Sequence, residues 1–347
     1  MLRLIDANLD RLGEGLRVLE EISRFILGDI QTTETLKRMR HELCETDPEF
    51  KNQLLEARDS EGDVGRDSAV EGTERKHLTD LVTANARRTQ EALRVLDEFA
   101  RLPEAPSQIN ERNFEQARFT LYEIERKLTL TLSRQDKLEK LAGVYVIIDS
   151  ERFPSERVPD IARRVIEGGT KVVQLRGKGQ NKKDLLELAE ELRRICTEAG
   201  IILIINDNVD IVLACDADGV HLGNQDLPVP AARQMLSYDK IIGRTVRTAK
   251  QALEAQAEGA DYLGVGSVYP SPTKPDVEVI GLQRLGEIRN AGSLPIVAIG
   301  GINEGNAREV IEQGADCIAV IDSVLNREDI EAATRFLAEQ FNYQSGS

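Results

Sequence analysis

Two patterns of apolar spacing divide the chain. Through roughly the first 133 residues, apolar side chains recur at helical intervals, as in Leu12, Leu16, Leu19 and Ile22 or Ala92, Val95 and Phe99. No strand-like apolar run interrupts them, which predicts an all-helical segment. A last helical run over 110–132, carrying Phe114, Phe119, Leu121, Ile124 and Leu128, closes it. From Gly143 onward, short apolar runs alternate with amphipathic stretches. Strands are predicted over 144–148, 172–175, 201–205, 219–222, 241–244, 262–265, 296–299 and 317–321, and helices over 158–167, 183–199, 210–215, 230–236, 249–258, 282–290, 306–313 and 329–341. Eight alternations in about 200 residues, with no G-x-G-x-x-G, predict an α/β fold of the (β/α)8 TIM-barrel type rather than a dinucleotide-binding sheet. The boundary is expected near Asp136, giving an all-helical domain over 1–135 and a barrel over 136–347.

The helical part contains an echo of itself. L-I-D-A-N-L-D-R-L-G-E-G-L-R-V-L-E-E-I-S-R from Leu4 returns as L-V-T-A-N-A-R-R-T-Q-E-A-L-R-V-L-D-E-F-A-R from Leu81. The repeat pairs Asn8 with Asn85, Arg11 with Arg88, Glu14 with Glu91 and Arg17 with Arg94. Helical spacing puts each Asn, Arg and Glu near one stripe, so two pseudo-symmetric helices are expected to face a shared cleft. The structural alternative is a duplicated helical hairpin with surface Arg and Glu pairs. Between the copies, residues 59–68 are polar and glycine-containing, a loop with Asp63, Arg66 and Asp67 available to phosphate or Mg²⁺.

Composition narrows the function classes. The 347 residues carry 41% hydrophobic and 30% charged side chains and a net charge of −15, from 45 basic and 60 acidic groups. That balance opposes general attraction to nucleic acid or an anionic membrane, so a polyanionic substrate needs a local basic cluster. No apolar run reaches the roughly 18 residues of a membrane span, and the charged N-terminus has no secretory pattern; a cytoplasmic protein is expected. Cys44, Cys196, Cys215 and Cys317 are scattered, without C-x-x-C, and read as apolar fillers in a reducing compartment. The tail after Tyr343 is short and polar and is assigned no role.

A barrel should place its unusual polar residues after its strands. Gln174, Arg176 and Lys178 follow the second strand, Asn206 and Asp207 the third, Asp226 the fourth, and Thr245 the fifth. G-V-G-S-V-Y-P-S-P-T-K from Gly264 follows the sixth, Gly300 and Gly301 the seventh, and Ile321 and Asp322 the eighth. Two anion sites separate. Arg176, Lys178, Asn206 and Lys274 with Asp207 and Asp226 suit a pyrophosphate and its Mg²⁺, because that ion takes oxygen ligands while the cations neutralise the rest. For either aspartate alone the competing role is a helix N-cap. Gly300 and Gly301 with the backbone after Val320, and Ser271 and Thr273 closing over them, suit a monophosphate.

V-Q-L-R-G-K, I-N-D, D-G-V-H-L-G-x-x-D, P-S-P-T-K and A-I-G-G-I, in that order, resemble thiamine phosphate synthase. The twofold A-N-x-x-R-x-x-E-x-L-R-V-L-(D/E)-E around a D-V-G loop resembles the helical domain often fused to it, described as a hydroxymethylpyrimidine phosphate kinase. The resemblance implies joining of hydroxymethylpyrimidine pyrophosphate to thiazole phosphate through a pyrimidine carbocation, with release of pyrophosphate. In that scheme Arg176, Lys178, Asn206 and Lys274 hold the pyrophosphate, Asp207 and Asp226 its Mg²⁺, and Gln174 and Thr245 the pyrimidine or the departing oxygens. Ser271, Thr273, Gly301, Ile321 and Asp322 cradle the thiazole phosphate. The helical domain would use ATP, although the G-x-x-x-x-G-K-[ST] loop of P-loop kinases is absent. Phosphorylated small molecules are the expected partners, and a homo-oligomer is expected. The chemistry needs no general base, in keeping with a candidate set free of histidine. Two residues depart from the family pattern: Asn224, where Gln is usual, and Asp322, where a small residue, often Ser, is usual. A carboxylate at a phosphate cradle is unfavourable unless it points away. The alternatives are a thiazole tautomerase, which would carry histidine near the fifth strand where this chain has Thr245 and Val246, and a non-catalytic dimerisation or regulatory role for the helical domain.

Overall fold

The structure is a computed structural model that describes residues 1–58, 75–110, 112–271 and 277–342. It divides into two compact units, Met1–Ser133 and Arg134–Ser347. The division lies inside one helix.

The first unit is built from α1 (Leu2–Glu21), α2 (Ile30–Cys44), α3 (Pro48–Glu56), α4 (Leu78–Ala100), the short α5 (Ser107–Asn110) and the first part of α6 (Phe114–Glu139). A single π turn, Ile22–Ile26, prolongs α1. The apolar stripe of α1 (Ile5, Leu9, Leu12, Leu16, Leu19) meets Val82, Ala86, Leu93 and Leu96 of α4 in one core. A Cβ on Gly15 would fall on the Thr89 side chain, so these two helices approach closely at a residue without one. The closing helix begins later than its apolar spacing predicts, because the Asn113 side chain accepts from Gln116 N (2.9 Å) and caps it. It then runs to Glu139, since S-R-Q-D-K-L-E contains neither Gly nor Pro.

In the second unit, eight parallel strands close in sequence order: β1 (Gly143–Asp149), β2 (Val172–Arg176), β3 (Ile202–Asn206), β4 (Gly219–Leu222), β5 (Ile241–Val246), β6 (Tyr262–Gly266), β7 (Ile296–Ile299) and β8 (Cys317–Val320). Around them lie α7 (Val158–Glu167), α8 (Lys182–Ala199), α9 (Val209–Cys215), α10 (Val229–Met235), α11 (Ala249–Ala257), α12 (Gly281–Ala291), α13 (Ala307–Glu312) and α15 (Ile330–Asn342), with a short α14 (Asp322–Leu325) directly after β8. Alternation along each strand sorts the side chains. Val144, Val146 and Ile148 join the shell beneath the helices, whereas Tyr145 and Ile147 join an inner cluster with Val172, Ile204, Tyr262, Val297 and Cys317. The last inward residue of each strand therefore stands at the C-terminal rim.

Candidate active site

That rim encloses a cavity of about 530 Å³. Gln174, Arg176, Lys178, Asn206, Asp207 and Asp226 line one side, and Ser271, Gly300, Gly301, Ile321, Asp322 and Ser323 line the other. The parallel register makes this convergence automatic, because every strand delivers its C-terminal end to the same face.

On the first side, Arg176 pairs with Asp149, the last inward residue of β1, which is buried. Lys178 Nζ lies 3.2 Å from Asp207 Oδ2. Asp207 adopts φ 63°, a left-handed conformation that Asp tolerates better than most residues, and its N–H bonds to His221 O (2.9 Å). Asp226 accepts from Gly223 N at 2.7 Å. Burial, and then the adjoining Asp207 carboxylate within hydrogen-bonding reach, push the Asp226 carboxyl above its usual range, against the pull of Gly223 N and Lys178. Two carboxylates pressed together and only partly neutralised fit a Mg²⁺ ion. Among the described residues no group of three or more His, Cys, Asp or Glu gathers, so such an ion would draw its other ligands from water or substrate oxygens.

On the opposite side, Gly301 has φ 64°, and a Cβ there would overlap Pro270 O. Tyr269 N bonds to Gly300 O (3.0 Å), laying the loop after β6 on the loop after β7. The Asp322 carboxylate is held by Arg152 Nη1 at 2.6 Å and by Asn326 Nδ2 at 3.2 Å. Next to it, Ser323 Oγ is buried and has no hydrogen-bond partner among the described residues.

The chain belongs to the thiamine-phosphate synthase family. The thiamine monophosphate synthase family model matches residues 144–324, and the ThiD2 family model matches residues 3–127. The thiamine-phosphate synthase of Nostoc sp. strain PCC 7120 is 38% identical over 341 residues, covering 98% of this chain and 94% of that protein. The one from Thermosynechococcus vestitus is 37% identical, with 98% and 95% covered. The solved thiamine phosphate pyrophosphorylase of Pyrococcus furiosus superposes with a TM-score of 0.56 at 40% identity, covering 60% of this chain and 100% of that one. Both parts of the chain thus match members of this family, since the curated relatives span its full length.

The described barrel candidates all line the cavity, whereas Thr273 and Lys274 lie outside the described residues, as do Asp63 and Arg66. Several residues that line the cavity or pair with its side chains were given no role by the sequence reading. Asp149 hid in an apolar strand, and Arg152 lies in the following loop. His221 and Arg247 line the cavity as well, and Arg247 Nε is buried without a partner among the described residues. The only available signal was position at the ends of β1, β4 and β5.

In the helical unit the expected stripe comes apart. Asn8 and Asn85 are buried, their amides donating to Leu4 O and Leu81 O at 2.8 Å. Arg11, Glu14, Arg17, Arg88, Glu91 and Arg94 are exposed. Each three-residue step falls about 60° short of a full turn, so Asn and Glu six residues apart diverge by about 120°. Arg94 pairs with Glu98 at 2.6 Å, and Arg17 with Glu20 at 3.1 Å. Among the described residues, no helix is long and apolar enough to cross a membrane.

Proposed function

We propose that the barrel joins hydroxymethylpyrimidine pyrophosphate to thiazole phosphate, giving thiamine phosphate and pyrophosphate. The observation that carries this reading is the convergence of Arg176, Lys178 and Asn206 with the adjoining Asp207 and Asp226 at one cavity wall. An aminopyrimidine delocalises positive charge at its methylene, so the C–O bond breaks ahead of attack by the thiazole nitrogen. Stabilising the departing pyrophosphate is then the main catalytic task. Arg176 and Lys178 supply charge-assisted hydrogen bonds to it, joined by Lys274 from the loop after β6. Asp207 and Asp226 would hold Mg²⁺, which when bound neutralises pyrophosphate charge. Gln174 and Thr245 orient the pyrimidine. Gly301, Ser271, Thr273 and the backbone at Ile321 and Asp322 receive the thiazole phosphate, and Arg152 draws the Asp322 carboxylate into an ion pair that lowers its repulsion of that phosphate.

For the helical unit we infer phosphorylation of hydroxymethylpyrimidine phosphate with ATP, which supplies the barrel's pyrimidine substrate. The ThiD2 match over residues 3–127 supports this. Among the described residues the exposed Arg11 and Arg88 are cations that could meet phosphates, as could Arg94 on release from Glu98, with Glu14 and Glu91 beside them. One experiment tests both halves. The full chain is incubated with the pyrimidine monophosphate, ATP, Mg²⁺ and thiazole phosphate, and products are separated by chromatography. Thiamine phosphate is expected. Thiamine phosphate only when the pyrimidine pyrophosphate is supplied directly would remove the kinase reading and favour a dimerisation or regulatory module.

A further inference from the structure

Beneath the cavity, five polar side chains form a hydrogen-bonded chain across the barrel. Gln174 Nε2 donates to Tyr145 Oη at 2.7 Å, and Tyr145 Oη lies 3.1 Å from Tyr262 Oη. Tyr262 Oη lies 2.9 Å from His221 Nδ1, and His221 Nε2 lies 2.9 Å from Thr245 Oγ1. The links pass through β2, β1, β6, β4 and β5. Gln174, Tyr145 and Tyr262 are buried at 3%, 1% and 0% exposure, and burial holds both phenols well above their ordinary pKa, as neutral hydroxyls. Space for the chain is built in: a Cβ on Gly264 would stand 2.5 Å from His221 Cε1, and one on Gly243 would enter the Tyr262 ring. Four of its members, Gln174, Tyr145, His221 and Thr245, line the cavity, and Gln174 and Thr245 stand at the two ends of the chain.

Counting protons gives the chain a direction. The Gln174 amide nitrogen can only donate, so Tyr145 accepts there and has its single proton left for Tyr262. Tyr262 then donates to His221 Nδ1, which places the imidazole proton on Nε2, and Nε2 donates to Thr245 Oγ1. The reverse order would leave the Tyr145 proton without a partner in a buried site, which costs its desolvation. Gln174 is left with Oε1 as an acceptor beside its second amide N–H, and Thr245 with its hydroxyl proton as a donor.

We propose that His221 is a positioning residue. Held by Tyr262 as the Nε2–H tautomer, it sets Thr245 as a hydrogen-bond donor while the same chain sets Gln174 as an acceptor. The pair then matches an edge that offers an amino donor and a ring-nitrogen acceptor, and it opposes the 4-oxo analogue, whose donors and acceptors are reversed. This rests on the reading of Gln174 and Thr245 as pyrimidine contacts.

The first test needs no turnover. ¹⁵N NMR of the histidine-labelled full chain, with the His221 signals assigned by their loss in His221→Asn, should show a pyridine-type Nδ1 and a pyrrole-type Nε2. In Tyr262→Phe that tautomer preference should weaken or invert. A pyridine-type Nε2 in the wild type, or no response to Tyr262→Phe, overturns the proposal. The second test is kinetic. Loss of one link should raise KM for the pyrimidine pyrophosphate about tenfold and narrow discrimination against the 4-oxo analogue, leaving KM for thiazole phosphate unchanged. Tyr145→Phe breaks the chain one link away and should reproduce the pattern should Tyr262→Phe fold poorly. Equal effects on both substrates mark a merely structural role and overturn the proposal. A correct tautomer in a chain that makes no thiamine phosphate would refute the proposed reaction while leaving the directed chain standing.

Discussion

The two units handle repetition differently. The barrel repeats one strand and helix unit eight times in parallel, so residues far apart in sequence are delivered to one rim. The helical unit repeats one helix twice, and its repeated polar residues diverge: Asn8 and Asn85 go inward, while Arg11, Glu14, Arg88 and Glu91 stay at the surface. A period of two keeps alternate residues of a strand on one face, whereas a three-residue step drifts around a helix. Equal-looking motifs therefore carry different information. A polar residue at a strand end predicts a site, but a polar residue at helical spacing predicts only a neighbourhood.

The largest effect expected to sharpen this contrast is at the wall that carries Asp207 and Asp226. Asp207→Asn should lower thiamine phosphate formation at least about 100-fold while leaving the unfolding midpoint within a few degrees. Asparagine retains the tolerance for φ 63° that alanine lacks. Steady-state kinetics and calorimetry check both, and wild-type turnover would break the assignment. Mg²⁺ should raise the thermal midpoint of the wild type and leave that of Asp207→Asn unchanged.

Next in size is a stability effect confined to one unit. Gly15→Val places a branched side chain against Thr89, an overpacking of the kind that costs about 1–3 kcal/mol. Denaturant unfolding should show that loss, with synthesis from pre-formed pyrimidine pyrophosphate retained. Loss of synthesis as well would contradict independent roles for the two units.

A third prediction addresses the departure at Asp322. Arg152→Ala removes the cation paired with its carboxylate beside the proposed thiazole phosphate cradle and should raise KM for thiazole phosphate about tenfold. Adding Asp322→Ser should restore it, and failure of that rescue would show that Arg152 acts in some other way. The smallest effect is expected in the helical repeat: Arg88→Ala should change stability by less than about 0.5 kcal/mol, because the side chain is exposed. A large fall in pyrimidine monophosphate phosphorylation with unchanged stability is expected of a phosphate-binding cation, and unchanged phosphorylation would remove Arg88 from that role.

By itself the sequence determined the class of each unit, the eight strands and most of the residues at the rim. Apolar periodicity is a local property, and the strand ends carry recognisable motifs. Val172, Gln174 and Arg176 alternate inward because strand geometry requires it, before any tertiary contact exists. Only the tertiary structure decided the partnerships. Asp149 sits in an apolar run with nothing to mark it, yet closure beside β2 pairs it with Arg176. Asp322 reads as a defect at a phosphate cradle until Arg152, 170 positions earlier, is folded against it. Tyr145, His221 and Tyr262 look like ordinary strand residues, and they become a directed hydrogen-bond chain only when closure brings five strands around one axis. Pairing between distant segments depends on the closed sheet, and no local spacing in the chain encodes it.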